Sequence, residues 1–179
     1  AHRLLMNRGV DAVVIENSAA SILRDGLAYD RCQVGLVMDM DMNGDKRAEL
    51  AEFDVQDENQ LYKVLRTQVD VVLSEGVAVL NAAVPKLLEM AELSDGDVVL
   101  YALDAAEPAL ATHRAKGGRA VFLQGGAAML AQGQSETSGA NVDALLTRFG
   151  AAAVGAEVNA ATILAAVATA WALNISPEL

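Results

Sequence analysis

The chain has 179 residues, 53% of them hydrophobic and only 4% aromatic, with 13 Lys and Arg against 24 Asp and Glu for a formal net charge of -11. A mean hydropathy of +0.27 excludes a disordered chain, and no apolar run free of polar residues reaches the roughly 18 needed for a membrane-crossing helix. The negative surplus argues against a nucleic-acid backbone or an anionic membrane as partner, and the single cysteine, Cys32, has no internal disulfide partner, so the cytosol is the simplest compartment.

The chain opens on Ala1-His2-Arg3 without Met, inside what reads as a helix and with no signal peptide. It is therefore expected to be a piece of something longer. Val10 to Glu16 (VDAVVIE) and Gln33 to Met40 (QVGLVMDM) are short Val/Ile-rich runs that read as strands buried on two faces. Asp57 to Leu73 places apolar residues at 61, 64, 65, 69, 72 and 73, a helical spacing with Asp57 as its N-cap. Val77 to Asn81 is a strand, and Val84 to Leu93 a helix with Pro85 in its first turn. Asp97 to Leu103 is a further strand, and Ala105 to Lys116 a helix ended by Gly117-Gly118. Ala120 to Leu123 and Ala127 to Ala131 flank Gly125-Gly126 and read as a β-hairpin. Gln132 to Ala140 reads as a polar loop, and Asn141 to Phe149 is ambiguous. Glu157 to Leu173 reads as a long Ala-rich helix stopped by Asn174 and Pro177.

This order predicts an α/β fold in three layers. A largely parallel sheet is flanked by helices, with a small antiparallel hairpin late in the chain. No repeat or linker divides it, so residues 1–179 read as one unit. Ligands of such sheets sit beyond the carboxyl ends of the strands, which singles out Glu16, Asp39 and Asn81. Glu16 suits Mg²⁺, an ion that takes one or two carboxylates with phosphate oxygens and water. Spacing alone favours a helix cap or a solvated turn there. Asp39, Asp41, Asn43 and Gly44 follow the order of a calcium loop, but its twelfth position falls on Leu50 and a strand precedes it. That leaves a weak divalent-metal site or an acidic turn. His2 and His113 are far apart with no Cys/His cluster, so zinc is not indicated. No nucleophile elbow or Walker phosphate loop is present. Cys32 reads as a packed, inert thiol, and Ser18-Ala19-Ala20-Ser21 as a short helix packed closely on the sheet.

The block "GLAYDRCQVG" (Gly26 to Gly35) closely resembles the Mur-ligase-like part of cyanophycin synthetases. So does the longer string from Val10 that contains it. In the same order, "GVAVLNAAVP" (Gly76 to Pro85) resembles that family's Gly-x-Ala-Val-Leu-Asn-Ala-Asp-Asp-Pro. "ATILAAVATAWALNISPE" (Ala161 to Glu178) resembles the Ala-rich helix that closes its central domain. The resemblance implies a central nucleotide-binding domain that lacks its N-terminal phosphate-loop part. It also implies a parent enzyme that uses ATP and Mg²⁺ to activate a carboxylate as an acyl-phosphate, which an amine attacks. In cyanophycin synthetases that portion is associated with adding arginine to a poly-aspartate backbone, so a nucleotide and an amino-acid or peptide substrate are the implied partners. Glu16 falls on the Mg²⁺-binding glutamate and Asn81 on the Asn of the Asp-Asp-Pro motif. The adenine-side Asn of the closing helix stands as Thr162, with Asn159 as its shifted counterpart.

The departures are as definite. Ala19-Ala20-Ser21 replaces an Arg/Gly turn, Met38-Asp39 replaces Thr-Asn, and Ala83 and Val84 replace the two Asp. Phosphate binding in this family relies on backbone N–H groups and a Lys in the glycine-rich loop. Tight ATP binding by this chain alone is therefore not expected. Two readings stay open: a piece of an ATP-dependent amide ligase, and a non-catalytic Mur-like scaffold or oligomerisation module. If strands are missing, an exposed sheet edge is expected to promote homo-oligomers.

Overall fold

A computed structural model of the chain describes residues 2–150 and 158–175. Its centre is one six-stranded sheet whose spatial order follows the sequence: β1 (Cys32–Val37), β2 (Val72–Asn81), β3 (Asp97–Ala102), β4 (Arg119–Gln124), β5 (Ala127–Gln132) and β6 (Ser135–Asn141). The first four strands run parallel, and β5 and β6 are antiparallel. The expected α/β architecture with a late hairpin is therefore present.

The crossovers between parallel strands are helical, as parallel pairing requires. Between β1 and β2 lie α3 (Asp45–Ala51) and α4 (Glu58–Asp70); α5 (Pro85–Ala91) follows β2, and α6 (Pro108–Ala115) follows β3. The start of α4 is fixed by a capping box. Asp57 accepts from the Gln60 amide, and the Gln60 side chain accepts from the Asp57 amide, so two donors of the first turn are satisfied. Pro85 and Pro108 open α5 and α6, where a missing N–H costs nothing. The hairpin turns on Gly125 (φ 58°) and Gly126 (φ 77°), the positive φ pair that matches the twist of its strands.

Two apolar layers sandwich the sheet. On one face Val37, Ala78, Leu80 and Leu100 pack with Leu61, Leu65 and Val69 of α4 and Leu87 of α5. On the other, Val79, Val99, Tyr101 and Val121 pack against Ile163, Leu164 and Ala168 of α8 (Ala160–Ala172). Small residues let this last helix lie close to the strands, which explains a core poor in aromatic residues. Gly35 in β1 makes the same allowance on the opposite face. A Cβ there would collide with the backbone carbonyl of Gln68 in α4 and with Val72.

Three readings of the sequence are corrected. Val10 to Glu16 is not a strand: it forms no ladder, and Val14 is 93% exposed. Its composition suits a strand buried on two faces, but none of the described strands pairs with it, and the Val10 amide instead closes a turn onto the Asn7 carbonyl (3.1 Å). Gln132 to Ala140 is not a loop: Ser135 onward forms β6, whose polar residues suit an exposed edge. The helix from Asp57 ends at Asp70, and Val72 and Leu73 belong to β2, because apolar spacing alone does not separate the end of a helix from a buried strand. The ambiguous stretch forms α7 (Val142–Gly150). Ser18 caps α2 (Ala19–Asp25) through its hydroxyl, which accepts from the Ser21 amide. The opening helix α1 spans His2–Leu5. Residues 151–157 and 176–179, which include the expected helix start at Glu157 and Pro177, lie outside the described residues.

Candidate functional site

The C-terminal tips of β1, β2 and β3 form the rim at which α/β sheets hold ligands. At the tip of β2, Asn81 donates through Nδ2 to the Met38 carbonyl (3.1 Å), and its Oδ1 accepts from the Ala83 amide (3.0 Å). It therefore ties β2 to the end of β1 and shapes the turn into α5. Beside it in the ladder stands Tyr101 of β3. Its side chain is fully buried, and its hydroxyl has no hydrogen-bond partner among the described residues. Burial, and then the negative charge of Asp39, push its phenol well above the ordinary value, so the hydroxyl stays protonated. Nothing in the string "DVVLYAL" distinguishes this tyrosine from any other strand residue.

The acidic stretch beyond β1 folds as two consecutive Asx turns. Asp39 Oδ1 accepts from the Asp41 amide (3.0 Å), and Asp41 Oδ1 from the Asn43 amide (2.9 Å). Lys46 of α3 closes the loop, 3.2 Å from Asp41 and 3.9 Å from Asp39. The Asn43 amide and then Lys46 hold the Asp41 carboxyl below its ordinary value. Internal amides and one lysine thus hold the carboxylates, the arrangement of an acidic turn. Among the described residues no group of three or more His, Cys, Asp or Glu converges as a cation cage.

Glu16 is exposed, and its carboxylate makes no hydrogen bond or ion pair among the described residues. Its neighbour Asn17 donates to the Tyr29 hydroxyl (2.9 Å) and to Gln68 Oε1 (3.4 Å), which anchors this part of the chain against α4. Glu16, Asp39, Asp41 and Lys46 line one cavity of about 900 Å³. Asn81 and Asn159 are not in its wall. Asn159 is the N-cap of α8: its Oδ1 accepts from the Thr162 amide (3.0 Å) and from the Thr162 hydroxyl (3.2 Å). The side-chain oxygen of each of these two asparagines is engaged by the protein's own backbone, whereas Glu16 is uncommitted. Cys32 at the start of β1 is half-buried, and desolvation raises its thiol pKa, in keeping with an unreactive cysteine.

No protein-family model matches the chain. Its similarity is to cyanophycin synthetases. The cyanophycin synthetase of Crocosphaera subtropica is 30% identical over 134 residues, which cover 75% of this chain and 15% of that protein. The Synechocystis sp. enzyme is 29% identical over 130 residues, 73% of this chain and 14% of the relative. The Geminocystis herdmanii enzyme is 28% identical over 131 residues, again 73% and 14%. The matched part thus spans about 15% of the length of the curated relatives. Among the described residues no helix is long and apolar enough to cross a membrane.

Proposed function

We propose that this chain is part of the nucleotide-handling domain of an ATP-dependent, amide-bond-forming ligase, corresponding to the Mur-ligase-like portion of a cyanophycin synthetase, and that it does not catalyse by itself. The similarity to cyanophycin synthetases over three quarters of the chain carries this reading. The structure adds support. The blocks Gly26 to Gly35 and Gly76 to Pro85 lead into β1 and along β2, two neighbouring parallel strands whose tips Asn81 joins. In the reaction of such a ligase, a substrate carboxylate takes the terminal phosphoryl group of ATP. An amine then attacks the acyl-phosphate carbon, phosphate leaves, and the amide forms. Arginine added to aspartate side chains of a poly-aspartate backbone is the pairing proposed for the parent enzyme.

The described residues do not complete a nucleotide site, so no step is assigned to them. Glu16 is the one uncommitted candidate, and it fits a Mg²⁺ ligand that leaves the remaining positions to phosphate and water. No glycine-rich Lys loop stands among the described residues, and the rim asparagines hold backbone. That second observation, with Ala83 and Val84 at the positions of the family's two Asp, favours a scaffold role as the alternative reading.

The test is calorimetric titration of the chain with Mg-ATP, followed by phosphate release in the presence of a poly-aspartate peptide and arginine. Millimolar or weaker binding without turnover supports an incomplete ligase domain. Micromolar affinity, worth roughly 8 kcal/mol, or turnover by the isolated chain contradicts it.

A further inference from the structure

In three places a glycine directly follows Asn or Asp: Asp25-Gly26, Asn43-Gly44 and Asp95-Gly96. Such pairs share one reactivity. The glycine has no Cβ to shield its amide nitrogen, so the side-chain carbonyl carbon before it can be attacked by that nitrogen. The structure separates the three. The Gly26 amide is occupied, since it closes α2 by donating to the Ile22 carbonyl (2.9 Å). Gly96 is packed against β2, where a Cβ would collide with the Gly76 and Leu73 carbonyls. Gly44 is neither held nor crowded. Its amide donates to no acceptor among the described residues, a Cβ there would meet nothing within 4 Å, and both Asn43 and Gly44 are exposed. The flanks of the pair are fixed while its reacting atoms stay open: the Asn43 backbone amide donates to Asp41 Oδ1 (2.9 Å), and the Gly44 carbonyl accepts from the Arg47 amide (3.2 Å). Asn17, which also precedes a small residue, is by contrast tied by its carboxamide to Tyr29 and Gln68.

We propose that Asn43 is a site of spontaneous covalent modification in the folded chain, converted through a cyclic imide with Gly44 into aspartate and isoaspartate. The Gly44 nitrogen gives up its proton and bonds to Asn43 Cγ. The bond from Cγ to Nδ2 breaks, and Nδ2 leaves as ammonia, which takes up that proton. Water then adds to one of the two imide carbonyls. Opening at the backbone carbonyl leaves isoaspartate, and opening at the side-chain carbonyl leaves aspartate. Water is the only co-reactant. Either product adds a carboxylate to a turn that already carries Asp39, Asp41 and Asp45, where Lys46 is the cation that Asp39 and Asp41 engage. Isoaspartate also lengthens the main chain by a methylene at the N-terminal edge of α3. The change falls beside the 900 Å³ cavity, whose wall includes Asp39, Asp41 and Lys46, and makes that rim more negative. It holds whatever chemistry the rim performs.

The experiment ages the folded chain in neutral buffer, and in parallel the chain unfolded in guanidinium chloride, and maps both by tryptic mass spectrometry. The peptide Cys32 to Lys46 contains only two carboxamides, Gln33 and Asn43. The expected result is a gain of about one mass unit in that peptide as the amide becomes an acid. Its rate in the folded chain should lie within about tenfold of the unfolded rate, a barrier difference of about 1.4 kcal/mol or less. An isoaspartate-specific methyltransferase with a labelled methyl donor should mark the same peptide. In the folded chain it should leave the Asp25 and Asp95 peptides unmarked, and both should become marked after unfolding. Asn43→Gln, an exposed change that keeps the backbone hydrogen bond to Asp41, should abolish the gain. An unchanged mass at Asn43 in the folded chain overturns the proposal. So does a gain that persists in Asn43→Gln. So does equal marking of all three pairs in the folded chain, since the structure would then not select among them.

Discussion

Replacing Asn81 by Ala removes two hydrogen bonds at the rim, one to the Met38 carbonyl at 3.1 Å and one from the Ala83 amide at 3.0 Å. Each is worth about 0.5–1.5 kcal/mol net. Asn81 is only part-buried, so water reaches the abandoned groups and the loss falls in the lower part of the summed range, about 1–2 kcal/mol. For a chain of this length that lowers Tm by roughly 2–8 °C. Asn81→Asp separates the two bonds, because it keeps an acceptor for Ala83 but presents no donor to Met38. It is expected to lose about half as much as Ala, together with any repulsion from the nearby carbonyl. Urea unfolding followed by circular dichroism measures both, with the midpoint moving and the slope unchanged. A stability of Asn81→Ala within a few tenths of a kcal/mol of the parent refutes the reasoning, because the side chain would then hold nothing in the folded chain and its amide would be available to a ligand.

Two further outcomes follow from packing and charge. Gly35→Ala forces a methyl group against the Gln68 carbonyl and Val72; the loss is about 1–3 kcal/mol, read by thermal unfolding, and a neutral result contradicts the close approach of α4 to β1. Asp41 sits below its ordinary value of 3.8, first through the Asn43 amide and then through Lys46. Its contribution to stability is therefore present above the ordinary carboxylate range and is lost as pH falls through the lowered folded value. An NMR titration of the Asp41 carboxyl should show Lys46→Met raising its pKa part of the way, since the Asn43 amide remains; no change at all contradicts the ion pair.

The sequence carried the sheet well where local chemistry and tertiary context agree. Asp57 reads as a helix N-cap, Pro85 opens a helix, and Gly125-Gly126 demands a hairpin turn; each formed as the residues imply. It failed where pairing decides the outcome. Val10 to Glu16 has the composition of a buried strand, but a strand is defined by its neighbours, and none of the described strands pairs with it. Ser135 to Asn141 has the composition of a loop, yet it completes the edge beside β5 because polar residues are what an exposed edge favours. For the site, pattern reading could single out Asn81 and Asn159 but could not see that their side-chain oxygens are engaged by backbone amides. Tyr101 went unmarked because its unpartnered hydroxyl is a property of burial, not of its neighbours in sequence.

The central claim is that the β1–β2 rim with Glu16 forms part of a nucleotide site and lacks its phosphate grip. A ¹⁵N-resolved NMR titration with Mg-ATP tests it most directly. The account predicts weak, millimolar shifts confined to Glu16, the Asp39 to Asn43 turn and the Asn81 to Ala83 turn, with those at Glu16 lost in Glu16→Gln. Micromolar saturation, or shifts gathered at the opposite end of the sheet around Asp97 and Arg119, would contradict it.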